Sequence, residues 1–110
     1  ALILGPPLDG GSLVRGTVVG LMYMEDEKGH DSKVVLSVAK ADWGPAHELS
    51  ARDQDRIAEY FRRYKQHEAG AYSKVPGWGS VADGTSYVAR THRFFLECRE
   101  PSAQPCVVPP

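Results

Sequence analysis

The apolar residues fall into separate stretches, each with its own spacing. Residues 1–4 make a short apolar run that predicts the end of a buried strand, stopped by Gly5, Pro6 and Pro7 before a turn at residues 8–11. Residues 12–24 have the length and β-branched content of a long strand. Leu13, Arg15, Thr17, Val19, Leu21 and Tyr23 fall on one face, and Val14, Gly16, Val18, Gly20, Met22 and Met24 on the other. Gly16 and Gly20, four apart on one face, mark a bulge, a bend or a close backbone approach. A polar connection follows over residues 25–31, then a second apolar run over 33–39. The pair predicts an antiparallel hairpin with a charged loop. Residues 40–49 are irregular, broken by Gly44 and Pro45.

The spacing then changes. Ser50 reads as a helix N-cap with Asp53 three residues on. Ile57, Tyr60, Phe61 and Tyr64 recur at i, i+3, i+4 and i+7, one apolar stripe on a helix over about residues 51–68. Gly70 stands where a C-terminal stop belongs. Residues 72–75 predict a short extended piece, Pro76 and Gly77 a turn, and Trp78 a packed side chain. Ser80 caps a second helix reaching about Arg99, apolar at Val81, Val88, Phe94, Phe95 and Cys98, with Thr91 completing the spacing. Gly84 weakens its first turns by about 1 kcal/mol relative to Ala. Residues 1–100 are expected as one domain, and the proline-rich residues 101–110 as a loose tail.

Composition narrows the class. The chain has 110 residues, 42% hydrophobic and 25% charged, which is one ordinary globular domain rather than a disordered segment. Thirteen basic against fourteen acidic residues give a net charge of −1. Neutralising phosphates along a nucleic acid needs a basic excess that is not there. An OB-type nucleic-acid binder would also want stacking aromatics on a basic face, and the aromatics here are scattered. No apolar run approaches the roughly 18 residues of a spanning helix, and no charged-then-apolar leader opens the chain, so no membrane partner is expected and a cytoplasmic location is. Cys98 and Cys106 are expected as free thiols of a reducing compartment. Opening at Ala1 inside an apolar run, the chain is expected to be cut from a larger protein.

Chemistry concentrates in two places. The hairpin connection carries Glu25, Asp26, Glu27 and Asp31 with Lys28 and Lys33. Carboxylates suit a hard cation such as Mg²⁺, which keeps several waters and needs only one or two carboxylates when a phosphate supplies the rest. Asp26 and Asp31 fall on either side of the loop, and Lys33 on the strand beside them suits a phosphate oxygen as a point charge. A solvated hairpin tip accounts for the same charges. The second place is Tyr64 with Lys65, a phenol donor and an ammonium side by side, able to hold a phosphate. Tyr64 also completes the apolar stripe, and Lys65 suits a helix C-terminus. His30, His47, His67 and His92 include no pair at i, i+3 or i+4 and predict no metal site. No nucleophile elbow, phosphate-cradling glycine loop or C-x-x-C is found. Cys98 falls on an apolar stripe and reads as core rather than nucleophile.

The order of these motifs carries a resemblance. A strand and a proline turn lead to a long strand, then Met-x-Asp-Glu-x-Gly-x-Asp-x-Lys over residues 24–33. A helix ending in Phe-x-x-Tyr-Lys-x-x-Glu follows, then Gly-x-x-x-x-Val-x-Gly-Trp ending at Trp78. This resembles the C-terminal part of a family I soluble inorganic pyrophosphatase, from about residue 1 to Trp78 and more loosely to Arg99. The resemblance implies a β-rich α+β fold, part of an OB-like β-barrel with two flanking C-terminal helices. It implies a Mg²⁺-dependent hydrolase that splits pyrophosphate into two phosphates with a metal-activated water. Asp26 and Asp31 would be metal ligands. Lys33 would contact phosphate, and Tyr64 and Lys65 the second phosphate, with Lys33 and Tyr64 in catalytic roles.

The family's Gly-Asp-x-Asp-Pro-x-Asp motif, which supplies its central metal site, is not in this chain. Half an active site and little or no activity for the 110 residues alone are therefore expected. Homo-oligomerisation is a further expectation, although Glu59 and Arg63 stand where bacterial members place assembly histidines. A different class of function, a truncated homologue that keeps the scaffold for binding or assembly, fits the same residues.

Overall fold

The computed structural model describes residues 1–38 and 49–99. Their order is β1 (Leu2–Leu4), β2 (Thr17–Asp26), β3 (Gly29–His30), β4 (Lys33–Ser37), α1 (Ala51–Arg63), β5 (Ser73–Gly79) and α2 (Val81–Cys98). Most of the predicted irregular stretch, together with His47, Cys106 and the proline-rich tail, lies outside the described residues.

β2 is the centre of the sheet. Its first half pairs antiparallel with β4, Met22 standing opposite Lys33, and its end pairs with β3, Glu25 opposite His30. β5 runs antiparallel along the other edge. β1 adds to β4 in parallel, so the expected hairpin sits inside a mixed sheet. The expected strand over residues 12–24 is shifted. Pairing starts at Thr17 and continues through Asp26, which brings the first acidic residues into the ladder. The register slips between Val18 and Gly20, where the glycines predicted an irregularity.

Both faces of β2 are covered. Met22 and Met24 are fully buried with Ala58 and Val75, and Ile57, Phe61 and Trp78 pack against them. On the other side α2 crosses the strand closely. A Cβ on Gly84 would lie 2.7 Å from Val18 Cγ1 and 3.2 Å from the Gly20 carbonyl oxygen. Gly84 is thus the contact point of α2 rather than only a weak spot in it.

Three sequence expectations are corrected here. Pro76 and Gly77 do not turn the chain but lie inside β5, which runs from Ser73 to Gly79. Proline is tolerated there because β5 pairs on one edge only among the described residues. In α2 the buried line is Gly84 and Tyr87, with Thr91, Phe94 and Cys98 partly buried, whereas Val81, Val88 and Phe95 are exposed. The apolar residues were the visible signal, but the glycine and the tyrosine make the contact. Cys98 is disulfide-bonded, and among the described residues no cysteine is a free thiol.

α1 begins as expected, Ser50 accepting the Asp53 N–H at 3.1 Å. It ends at Arg63 rather than near residue 68. Bonds three residues apart then carry the chain round, Gln66 N–H to Arg63 C=O and Glu68 N–H to Lys65 C=O, each 3.0 Å. Gly70 at φ 75° lets it turn back toward β5.

Candidate functional site

The end of β2 and the turn after α1 meet. Asp26 closes β2 and builds its own turn, Oδ1 accepting the Lys28 N–H at 2.8 Å. Gly29 at φ 116° completes the reversal. Asp26 is 6% exposed, and its other oxygen, Oδ2, accepts from Lys65 Nζ at 2.7 Å. The same ammonium donates to Glu27 Oε1 at 3.0 Å and Oε2 at 3.2 Å. One cation thus serves two carboxylates, as a buried carboxylate requires.

Lys65 reaches this position because of the helix end. The line of α1 turned toward the sheet passes through Ile57, Ala58 and Phe61 and leads to Lys65, four residues beyond Phe61. Tyr60 and Tyr64, which the sequence placed on that stripe, are 65% and 39% exposed. Tyr64 stacks on Tyr60 and meets Phe61 edge-on.

Asp31 and Lys33 form the second ion pair, 2.5 Å apart, on the other arm of the hairpin. Lys33 Nζ also lies 5.9 Å from the centre of the Phe61 ring, which in turn contacts Tyr64. Lys33 and Tyr64 therefore share Phe61 as a neighbour, and Asp26 and Lys65 touch directly. The structure brings four of the five sequence-predicted residues into two ion pairs, Asp26–Lys65 and Asp31–Lys33, and Tyr64 lies between them, against Phe61 on the Lys33 side and near Lys65 on the other.

Two residues join them that sequence reasoning did not assign a role. Glu27 holds Lys65 and accepts the Tyr72 N–H at 3.4 Å. Tyr72 O–H donates to Glu25 Oε1 at 3.2 Å. Glu27 stood in the acidic run, but nothing in the spacing distinguished it from a solvated charge. Tyr72 carried no signal, since the register of β5 sets its contact.

The charges settle one another. The Lys65 hydrogen bond, then the Lys28 N–H, hold Asp26 below the usual carboxylate range. A backbone hydrogen bond at its own N–H, then Lys65, do the same for Glu27. Asp26 and then Glu27 push Lys65 above the usual lysine value. Burial, then Glu25, raises the Tyr72 phenol.

The residues were expected to hold a divalent cation, and the donor chemistry fits in kind. Asp26 and Asp31 offer hard carboxylate oxygens. Ser73, directly across the ladder from Asp26, has a buried hydroxyl without a hydrogen-bond partner. Among the described residues, however, no three His, Cys, Asp or Glu side chains cluster as a cage. The fit is to a hydrated ion sharing one or two carboxylates with other ligands, as Mg²⁺ does beside phosphate.

Comparison with known proteins identifies what the chain is similar to. A family model described as inorganic pyrophosphatase matches residues 1–96. An inorganic pyrophosphatase from Xanthomonas campestris pv. campestris is 36% identical over 88 residues, 74% of this chain and 49% of the relative. One from Sulfolobus acidocaldarius is 32% identical over 85 residues, 71% of this chain and 49% of the relative. The solved inorganic pyrophosphatase of Coxiella burnetii superposes with a TM-score of 0.66 at 34% identity, over 80% of this chain and 57% of that one. One from Neisseria gonorrhoeae gives 0.77 at 23% identity, over 86% of this chain and 58% of that one, a likeness of fold. The mixed sheet with its two helices is part of an OB-like barrel of this kind. The chain spans about half the length of the curated relatives it matches.

Proposed function

The chain belongs to the inorganic pyrophosphatase family, and on that premise we propose that it carries the C-terminal half of a site for Mg²⁺-dependent hydrolysis of pyrophosphate to two phosphates. The observation that carries the reading is Lys65 bonded to Asp26 across 39 residues of sequence. It joins the acidic hairpin to the Tyr-Lys turn, the two motifs on which the family resemblance rests.

Asp26 and Asp31 would hold divalent ions through their carboxylates. When bound, such ions neutralise charge on the phosphoanhydride and activate water. The chain's own side chains do the rest. Lys33 places a positive point charge at the hairpin arm, where it meets a phosphate oxygen. Tyr64, partly exposed at the end of α1, donates its phenolic proton to a second phosphate oxygen. Lys65 supplies a second ammonium beside it. Donors fixed on a sheet and a helix end stabilise leaving-group charge without reorganising as it develops.

Binding tests these roles without requiring turnover. With Mg²⁺ present, calorimetry of pyrophosphate binding should show Tyr64→Phe weakening affinity by about 2- to 10-fold, one hydrogen bond. Lys33→Ala should weaken it by about 10- to 100-fold, one charge-assisted contact. Unchanged affinity in both variants would remove these residues from the phosphate site.

A second reading is supported by the open sheet edges. β1 pairs with β4 alone and β5 with β2 alone among the described residues. Unpaired edges recruit other strands. In that reading the chain is a scaffold whose edges bind a partner and which does no chemistry. The 110 residues by themselves are proposed to have little or no hydrolytic activity under either reading.

A further inference from the structure

We propose that Lys65 is a resident counter-cation of Asp26 that a divalent ion displaces, and that Glu27 is the berth that retains the released ammonium beside the site. The inference rests on the reading of Asp26 as a metal ligand and adds a partner exchange to it.

The two oxygens of Asp26 have different duties. Oδ1 is committed to the Lys28 N–H, which closes the turn at the end of β2. Oδ2 is held by Lys65 Nζ at 2.7 Å. A metal ion approaching the carboxylate at the roughly 2.1 Å of a Mg²⁺ ligand would lie against that ammonium, and like charges at such separation repel strongly. The side of Oδ2 that Lys65 occupies therefore holds one or the other. Asp26 is buried, so it keeps a cation in either state.

Lys65 has somewhere to go. Both oxygens of Glu27 are already within 3.2 Å of its Nζ, and Glu27 is the more exposed of the two carboxylates. Leaving Asp26 costs Lys65 one hydrogen bond and keeps two. The ammonium then has a donor free for a phosphate oxygen. Glu27 acts through Lys65 and is a positioning residue. Asp31 with Lys33 repeats the scheme on the other hairpin arm, an acid paired with a lysine 2.5 Å away. In each pair the metal claims the acid and the phosphate claims the base. Each ligand thus removes a competitor of the other, and linkage requires the effect to be reciprocal.

The test needs no catalysis. In the unaltered chain, nitrogen-detected NMR of the Lys65 ammonium should follow Mg²⁺ occupancy, its protection from solvent falling as the ion binds. Mn²⁺ affinity, read by electron paramagnetic resonance without phosphate, should rise about tenfold in Lys65→Gln, within the usual range of coupling between sites. Lys65→Arg, which keeps the charge and its acidic partners, should stay within about threefold of the parent. Inorganic phosphate should tighten Mn²⁺ binding by about fivefold or more in the parent and by less than about twofold in Lys65→Gln. An ammonium unmoved at saturating Mg²⁺, or Lys65→Gln that binds Mn²⁺ no better than the parent, would overturn the exchange while leaving Asp26 as a ligand. Asp26→Asn separates the two ideas. If it abolishes Mn²⁺ binding, the ligand assignment stands whatever Lys65 does; if Mn²⁺ binds unchanged, both fall together.

Discussion

A buried carboxylate persists where a cation and backbone donors meet it, and Asp26 has one of each. That arrangement has a pH signature. Asp26 and Glu27 are held below their ordinary values, so they stabilise the fold above about pH 4 and stop doing so as pH falls through their lowered values. Lys65, raised above its ordinary value, contributes throughout that range and loses its contribution only in strong alkali. The thermal midpoint of the chain should therefore drop as pH falls below about 4. Asp26→Asn should lower the midpoint at neutral pH and flatten the acid arm; an equally steep arm in the variant would place the acid sensitivity elsewhere. That the acidic hairpin and the Tyr-Lys helix end come together was legible through the order of the two motifs, and the Lys65–Asp26 bond joins them. Glu27 and Tyr72 were not legible, since their partners come from strands and turns that only the folded register brings near.

At the scale of elements, caps are local and legible in the sequence, whereas contacts between elements are not. Ser50 and Ser80 both cap helices, the second with a full capping box closed by Asp83. Within α2 hydropathy points to Val81, Val88 and Phe95, while the helix approaches β2 through Gly84, a residue with no side chain. Pro76 predicts a break, yet β5 runs through it, as an edge position accommodates. Gly84 decides between two accounts of α2. If it were only a weak helical residue, Gly84→Ala would stabilise by about 1 kcal/mol. The Cβ would instead stand 2.7 Å from Val18 Cγ1, and overpacking costs about 1–3 kcal/mol. Chemical denaturation should show a net loss of about 1 kcal/mol for Gly84→Ala and a larger one for Gly84→Val. A more stable Gly84→Ala would mean that α2 can lift from the sheet at no cost.

At the scale of the whole molecule, the fold class was legible through the order of motifs, while sheet edges and strand pairing were not. A parallel β1 beside β4 cannot be read from a four-residue apolar run. Among the described residues β1 and β5 each pair on one edge only, and the chain spans about half the length of the curated relatives it matches. The most direct test is phosphate release from pyrophosphate with Mg²⁺. It would compare this chain alone, the chain joined to the N-terminal half of the Xanthomonas campestris relative, and that joined protein carrying Asp26→Asn. The account predicts little or no release from the chain alone, steady turnover by the folded joined protein, and a loss of at least about 100-fold with Asp26→Asn. A folded joined protein that releases no phosphate, or one indifferent to Asp26→Asn, would contradict it and leave the scaffold reading.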